Sequence, residues 1–254
     1  MKKLIAFAAI LSAPSFGWAQ DSETDESPFV YNITGEGVDL HFKVIKEPVF
    51  PLTLKSKGMN EGSVTVLLEI DYLGELRDWL VTEASHKDFG RAVDDVVGSW
   101  KFEPPMWNGK PISIVSAIEI RFKASGNVVS LDITNSIAEI YTGIGASSFD
   151  SIKVADFDDL DEFPELVKVV KPIVPKKLLG KNGRKQKLGV FRFFIDTEGR
   201  VRLAHVDRVE GKVDIRLLEA AQDALEQWRF EPPTVRGRPV IVEVAQPFTF
   251  EQNG

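Results

Sequence analysis

Trp100-Lys101-Phe102-Glu103-Pro104-Pro105 returns 128 positions later as Trp228-Arg229-Phe230-Glu231-Pro232-Pro233. The string is built from individually uncommon residues, and its surroundings repeat with it. Asn108-Gly109-Lys110-Pro111 returns as Arg236-Gly237-Arg238-Pro239 at the same offset, and Ile70-Asp71-Tyr72-Leu73-Gly74 matches Ile195-Asp196-Thr197-Glu198-Gly199 at 125. Pro48 and Pro51 match Pro172 and Pro175 at 124. Four landmarks in one order make this an internal duplication, and the drift of the offset marks small loop insertions.

Working outward from the tryptophans, each copy reads element by element. Val64 to Asp71 is apolar and β-branched, ends near a glycine suited to a tight turn, and resumes as Glu75 to Ala84; Leu188 to Asp196 and Val201 to Val209 do the same. Ile215, Leu218, Ala221, Leu225 and Trp228 then step by three and four residues, which places them on one helical face, as do Phe89, Val93, Val96 and Trp100. The paired prolines that follow forbid further helix, because proline lacks the amide donor and its ring clashes with the preceding turn. A loop at Asn108-Gly109 or Arg236-Gly237 leads to a last strand, Ile112 to Phe122 or Val240 to Phe250. The expected fold class is α+β: two tandem small domains, each a three-stranded antiparallel sheet packed on one helix in the order strand, strand, helix, strand. The expected boundaries are 38–123 and 167–254, joined by a linker at 124–166 whose best strand candidate is Asn127 to Ile133. Trp100 and Trp228 read as core residues.

The opening residues read differently. Met1-Lys2-Lys3, an apolar run from Leu4 to Leu11, and Gly17-Trp18-Ala19 follow the basic, apolar, small-residue order of a secretory signal peptide over 1–19, with cleavage after Ala19. The apolar run is well short of the ~20 residues a bilayer crossing needs, so no membrane span is expected after cleavage. Residues 20–37 are polar and expected to be a flexible N-terminal segment. The expected location is the periplasm, or beyond it by secretion. With Lys2 and Lys3 gone, 29 cationic side chains face 38 anionic ones, a charge of −9, which argues against nucleic acid as a partner. The chain has no cysteine, so disulfides, thiolate nucleophiles and cysteine zinc sites are excluded.

The proline-marked lead-in, glycine-ended hairpin, helix closing on Trp-x-Phe-Glu-Pro, Asn-Gly-Lys-Pro loop and final apolar strand together resemble the TonB C-terminal domain, twice over, across about 45–123 and 168–250. The resemblance implies a non-enzymatic, protein-binding module of the envelope, like an energy transducer for transmembrane transport. In that family the domain docks on outer-membrane receptors by pairing its sheet with a short receptor segment. This chain departs from the full TonB pattern in lacking the membrane helix and proline-rich spacer, and the family's Tyr-Pro pair reads Phe50-Pro51 and Val174-Pro175.

An open sheet edge offers unpaired N–H and C=O groups that an extended peptide can satisfy. The final strand of the first copy, proline-free from Ile112 to Ile120, is the candidate, with Ser113, Ile114, Val115, Ser116, Ala117 and Ile118 as partner-binding residues; Pro247 blunts the equivalent strand. The partner would be an envelope protein such as an outer-membrane receptor. The alternatives are that both edges are covered, by each other or by the linker strand, and that the protein is a structural or assembly module forming a homodimer. No cofactor, metal or catalytic group is expected: His41, His86 and His205 have no ligand spacing, and Asp156-Phe157-Asp158-Asp159-Leu160-Asp161 begins like a calcium loop but lacks its glycine. The basic stretch from Lys168 to Lys187 reads as a partner for that acidic run, or for an anionic surface.

Overall fold

The computed structural model describes residues 38, 40–124, 129–132, 151–174, 186–209 and 213–250. The expected signal peptide and N-terminal segment, Pro175, and the basic residues from Lys176 to Lys185 lie outside the described residues. In the first half the order is β1 (Phe42–Val44), α1 (Leu52–Ser56), β2 (Glu61–Ile70), β3 (Leu76–Ala84), α2 (Lys87–Val97), β4 (Lys101–Phe102), β5 (Met106–Trp107), β6 (Lys110–Pro111) and β7 (Ile114–Lys123). Between the halves come β8 (Val129–Asp132), β9 (Ile152–Ala155) and a turn of 3-10 helix at Phe157–Asp159. The second half follows as β10 (Leu166–Lys168), β11 (Gln186–Ile195), β12 (Val201–Val209), α3 (Ile215–Leu225), β13 (Arg229–Phe230), β14 (Thr234–Val235), β15 (Arg238–Pro239) and β16 (Ile241–Phe250). The protein is α+β, mostly strand, with helices packed on sheet.

Local physics repeats in hydrogen-bond detail. The β2–β3 turn is closed by Asp71, whose Oδ1 accepts from the backbone N–H of Leu73 and Glu75, both at 2.9 Å; Asp196 Oδ1 does the same for Glu198 and Arg200, also at 2.9 Å. Gly199 in that second turn has φ +76 and lies so close to the Phe230 carbonyl that a Cβ would meet it at 1.9 Å. Only glycine fits there. Asn108 and Gly109 (φ 49 and 77) form a two-residue turn with both φ positive, and Arg236 and Gly237 (φ 53 and 72) form its counterpart. The two longer helices, α2 and α3, open on a side-chain acceptor: His86 Nδ1 takes the Asp88 N–H at 3.1 Å, and Asp214 Oδ1 takes the Arg216 N–H at 3.0 Å.

The tryptophans anchor the lead-ins. Trp100 Nε1 donates to the Lys46 carbonyl at 2.9 Å and Trp228 Nε1 to the Val170 carbonyl at 2.8 Å, positions again 124 apart. Short strands accompany them, Phe42 opposite Phe102 in β1–β4 and Leu166 opposite Phe230 in β10–β13. The two sites differ in depth. Trp100 is 1% exposed with Phe42 edge-on at 5.6 Å, whereas Trp228 is only partly buried. Leucine stands at position 166 where the first half has Phe42, so the second indole loses that aromatic cover. Both tryptophans pack on a core as expected, Trp100 within the first and Trp228 at the margin of the second.

Two cores follow. Val64, Val66, Leu68 and Ile70 of β2 pack with Phe89, Val93 and Val97 of α2, and Phe191, Phe193 and Ile195 of β11 pack with Leu218, Ala221 and Leu225 of α3. Where the sequence suggested a sheet for each half, hydrogen bonding joins them into one of eight strands, in the order β12-β11-β16-β9-β3-β2-β7-β8. The joining strand, β9, lies in the 124–166 segment. It pairs antiparallel with β3 (Ala84 opposite Ile152) and parallel with β16 (Val242 opposite Ala155). A third apolar cluster, Leu67, Leu80 and Ala117 against Phe194, Leu203 and Ile241, seals the halves together.

Candidate partner-binding edge and the cleft beside it

Ile114 to Ile118 form the first half of β7, each opposite a residue of β2 from Ile70 to Val66. Ser113 just precedes the strand, its Oγ accepting the Tyr72 N–H at 3.2 Å. Alternation sends Ile114, Ser116 and Ile118 to the α2 side, all buried, while Ala117 is buried in the seam with the second half. Val115 and Ser113 remain partly exposed. Side chains along this stretch are therefore largely spoken for, and what it can present is backbone. On the flank away from β2, β8 pairs with Glu119 to Phe122 of β7 and its description ends at Asp132, opposite Glu119. Among the described residues no strand lies against that flank of Ile114–Ile118. In β16, Pro247 stands opposite Val190 of β11, and the other flank meets β9 at Ile241 and Val242.

Beside the start of β7 lies an open cleft of about 770 Å3, lined by residues of β2, β3, β12, α3 and the β2–β3 turn, with Ser113, Ile114 and Val115 among them. Its titratable lining is mostly acidic: Glu69, Asp71, Asp78, Glu219, Asp223 and Glu226, with Arg77 and His205 as the basic groups. Burial, then the nearby charges of Glu226 and Asp78, push the Glu69 carboxyl up to about 8, with Arg77 opposing. Glu226 is also raised, first by burial. Glu69 was not singled out in the sequence. Its one signal was a carboxylate inside the otherwise apolar run of β2.

An ion-pair system ties the halves beside this cleft. Asp78 of β3 accepts from Arg202 Nε at 3.1 and 3.0 Å and from the Leu203 N–H at 3.1 Å, and Arg202 also donates to the Trp79 carbonyl. Burial alone would lower the Arg202 pKa, but the Asp78 hydrogen bond and the Asp78 and Asp196 charges raise it overall. Arg192 sits between Asp207 and Glu243, 3.2 Å from each.

The histidines serve local structure. His86 caps α2, and His205 Nδ1 lies 2.9 Å from the Leu203 carbonyl, with burial holding its pKa below the ordinary value. His41 offers its carbonyl to the Glu103 N–H at 2.8 Å. Asp161 of the acidic run spends its two oxygens on the Arg236 and Gly237 N–H groups, at 2.8 and 2.7 Å, and these bonds hold its pKa down. That bond pair steadies a turn in which arginine occupies a left-handed position. Among the described residues no cluster of three or more His, Cys, Asp or Glu is placed to hold a metal ion, and no helix is long and apolar enough to cross a membrane.

The family model for the Gram-negative bacterial TonB protein C-terminal region matches this chain over two segments, 46–124 and 184–252. The chain belongs to that family. The TonB C-terminal match spans β2 to β7 and β11 to β16, so the repeated elements are the family's elements, and its second segment begins later than the 168 expected from the lead-in. The TonB C-terminal family is one of protein-interaction domains of the Gram-negative periplasm, and the chain is to that extent a TonB-like interaction module. No curated protein matches the chain.

Proposed function

We propose that this protein is an exported periplasmic binding module in which two tandem TonB C-terminal-like domains, 38–123 and 167–254, engage an envelope protein, such as an outer-membrane receptor, by strand addition along Ser113 to Ile118. It acts through contact and performs no catalysis. The observation that carries the reading is the flank of Ile114–Ile118: in an antiparallel strand, alternate residues aim their N–H and C=O groups away from the neighbour already paired, and among the described residues no strand meets those groups. Buried side chains on this stretch suit a partner that pairs backbone to backbone.

Amide hydrogen exchange on the isolated protein tests it. Alternate amides between Ile114 and Ile118 should exchange fast in the free protein and become protected when the partner binds. Full protection of all of them without any partner refutes the docking site, and means the chain covers its own edge. A second reading, assembly of two copies, draws on β12, which ends the eight-stranded sheet at its other side. Light scattering separates the two: the docking reading expects a monomer, and a dimer at every concentration favours assembly.

A further inference from the structure

The cleft between the halves contains an unmet hydrogen-bonding demand. Gln222 of α3 is 9% exposed and places its Nε2 3.4 Å from Glu69 Oε1 and 3.5 Å from Glu226 Oε1, at the outer limit of hydrogen-bond distance. Its Oε1 is buried with no partner among the described residues. A buried amide oxygen is normally bonded, so an orphan in a cleft marks a place that something else completes. What surrounds it is acceptor-rich once Glu69 gives up its proton: Gln222 Oε1 and the carboxyl groups of Glu69 and Glu226 that lean on the same amide. The complement must be a donor without acceptors. The acidic groups are not grouped to chelate a metal ion. A guanidinium, by contrast, spreads five N–H donors over a plane and reaches several acceptors at once, which a compact ammonium does less well.

We infer that this cleft receives an arginine side chain of a protein partner, its guanidinium bound by Glu69, Glu226 and Gln222 Oε1. The inference deepens the docking reading and rests on it for the partner's backbone, because Ser113, Ile114 and Val115 line this cleft and also open the β7 edge. The site is built from both halves, Glu69 from the first, Gln222 and Glu226 from the second, which gives the duplication a purpose that neither copy has alone. Proton linkage follows. With its pKa near 8, Glu69 holds a proton in the empty cleft at neutral pH, and the incoming cation displaces it. Arg77 and Asp78 from β3, Asp71 from the turn, Glu219 and Asp223 from α3, and His205 from β12 share the cleft and set the background field.

The test uses the full chain and three probes: N-acetyl-arginine amide, its neutral isostere N-acetyl-citrulline amide, and N-acetyl-lysine amide, followed by NMR at the Gln222 side-chain amide and by calorimetry. The arginine probe should bind in the millimolar range, shift the Gln222 resonances, and release a proton near neutral pH, tightening as the pH rises toward about 8. Citrulline and lysine should bind at least about tenfold more weakly, and Gln222→Leu and Glu226→Gln should each weaken arginine by about tenfold with circular dichroism unchanged. Equal shifts from arginine and citrulline, equal binding of lysine, or unaltered affinity in Gln222→Leu overturns the inference. Exchange at Ile114–Ile118 reports separately on the edge: arginine recognition with a fully protected edge keeps the cation site and removes strand addition.

Discussion

Asp78→Ala should loosen the protein at the joint between its halves. Asp78 accepts both Arg202 and the Leu203 N–H, and Leu203 has φ 52, a left-handed conformation unusual for a non-glycine residue. That kink in β12 turns the Leu203 side chain into the seam with Leu67, Leu80 and Phe194. Breaking a fully buried ion pair costs about 3–5 kcal/mol, and leaving a buried N–H unpaired about 1–3 kcal/mol. Here the paired side chains are 27% and 20% exposed, so solvent screens part of the charge, and Arg202 keeps Asp196 at 3.5 Å. Removing a charge that crowds Glu69 returns a little more. The net expectation is a loss of about 2–4 kcal/mol. Glu75→Ala supplies the comparison, since its pair with Lys101 is 58% and 52% exposed and should cost no more than about 1 kcal/mol. Urea unfolding followed by circular dichroism reads the stability, and amide exchange at Leu80 and Leu203 reads the joint. If Asp78→Ala costs no more than Glu75→Ala, with protection in the seam unchanged, the ion pair does not join the halves and the reasoning is wrong.

Trp100→Ala should cost about 3–5 kcal/mol, the range for emptying a large buried aromatic site, while Trp228→Ala should cost clearly less, because its indole is already partly in water; exchange measured in each half, or urea midpoints, gives the order. Glu69→Gln should make stability less dependent on pH. Glu69 has a folded pKa of about 8 and a value near 4.5 when unfolded, so the native state holds the extra proton between them and loses stability as pH rises through that window. The variant should match the parent below about pH 4.5, gain on it up to about pH 8, and hold that advantage above, as seen in unfolding midpoints across the range.

The duplication was legible because short-range chemistry carries it. Asp-x-x-Gly turns, helix stripes ending on tryptophan, and paired prolines all act within a few residues, so Leu188 to Asp196 and Val201 to Val209 fall within two residues of β11 and β12. The joining elements act at long range and leave little mark. β9 is four residues, Ile152 to Ala155, in a segment otherwise dominated by acids, and its neighbours β3 and β16 are far away in sequence. Phe42–Val44 and Leu166–Lys168 are three residues each, too short to show alternation. At the candidate edge, the proline-free run announced a strand, but nothing local indicated that Ala117 would be covered by Phe194, Leu203 and Ile241. The cleft was hidden for the same reason: Glu69 and Gln222 are 153 positions apart and meet only because the two sheets are sewn together.

That joining also decides which edges a partner can use. A lone copy of this fold would leave both outer strands of its sheet unpaired, an invitation to nonspecific association. In this chain β9 takes one flank at the end of β3 and one at the beginning of β16, and β8 takes the later half of β7. Among the described residues each cover amounts to two to four residue pairs and blocks part of an edge. Under the proposed docking, a partner strand would lie over Ile114–Ile118, where among the described residues no strand is paired on that flank, five residues whose N-terminal end borders the acidic cleft. Five residues of backbone pairing hold an extended peptide weakly and tolerate many sequences, since hydrogen bonds to a ladder do not read side chains. The arginine recognition inferred for the acidic cleft at the end of that stretch would convert a permissive edge into a selective one, because a partner without the matching cation leaves the Gln222 oxygen without a donor.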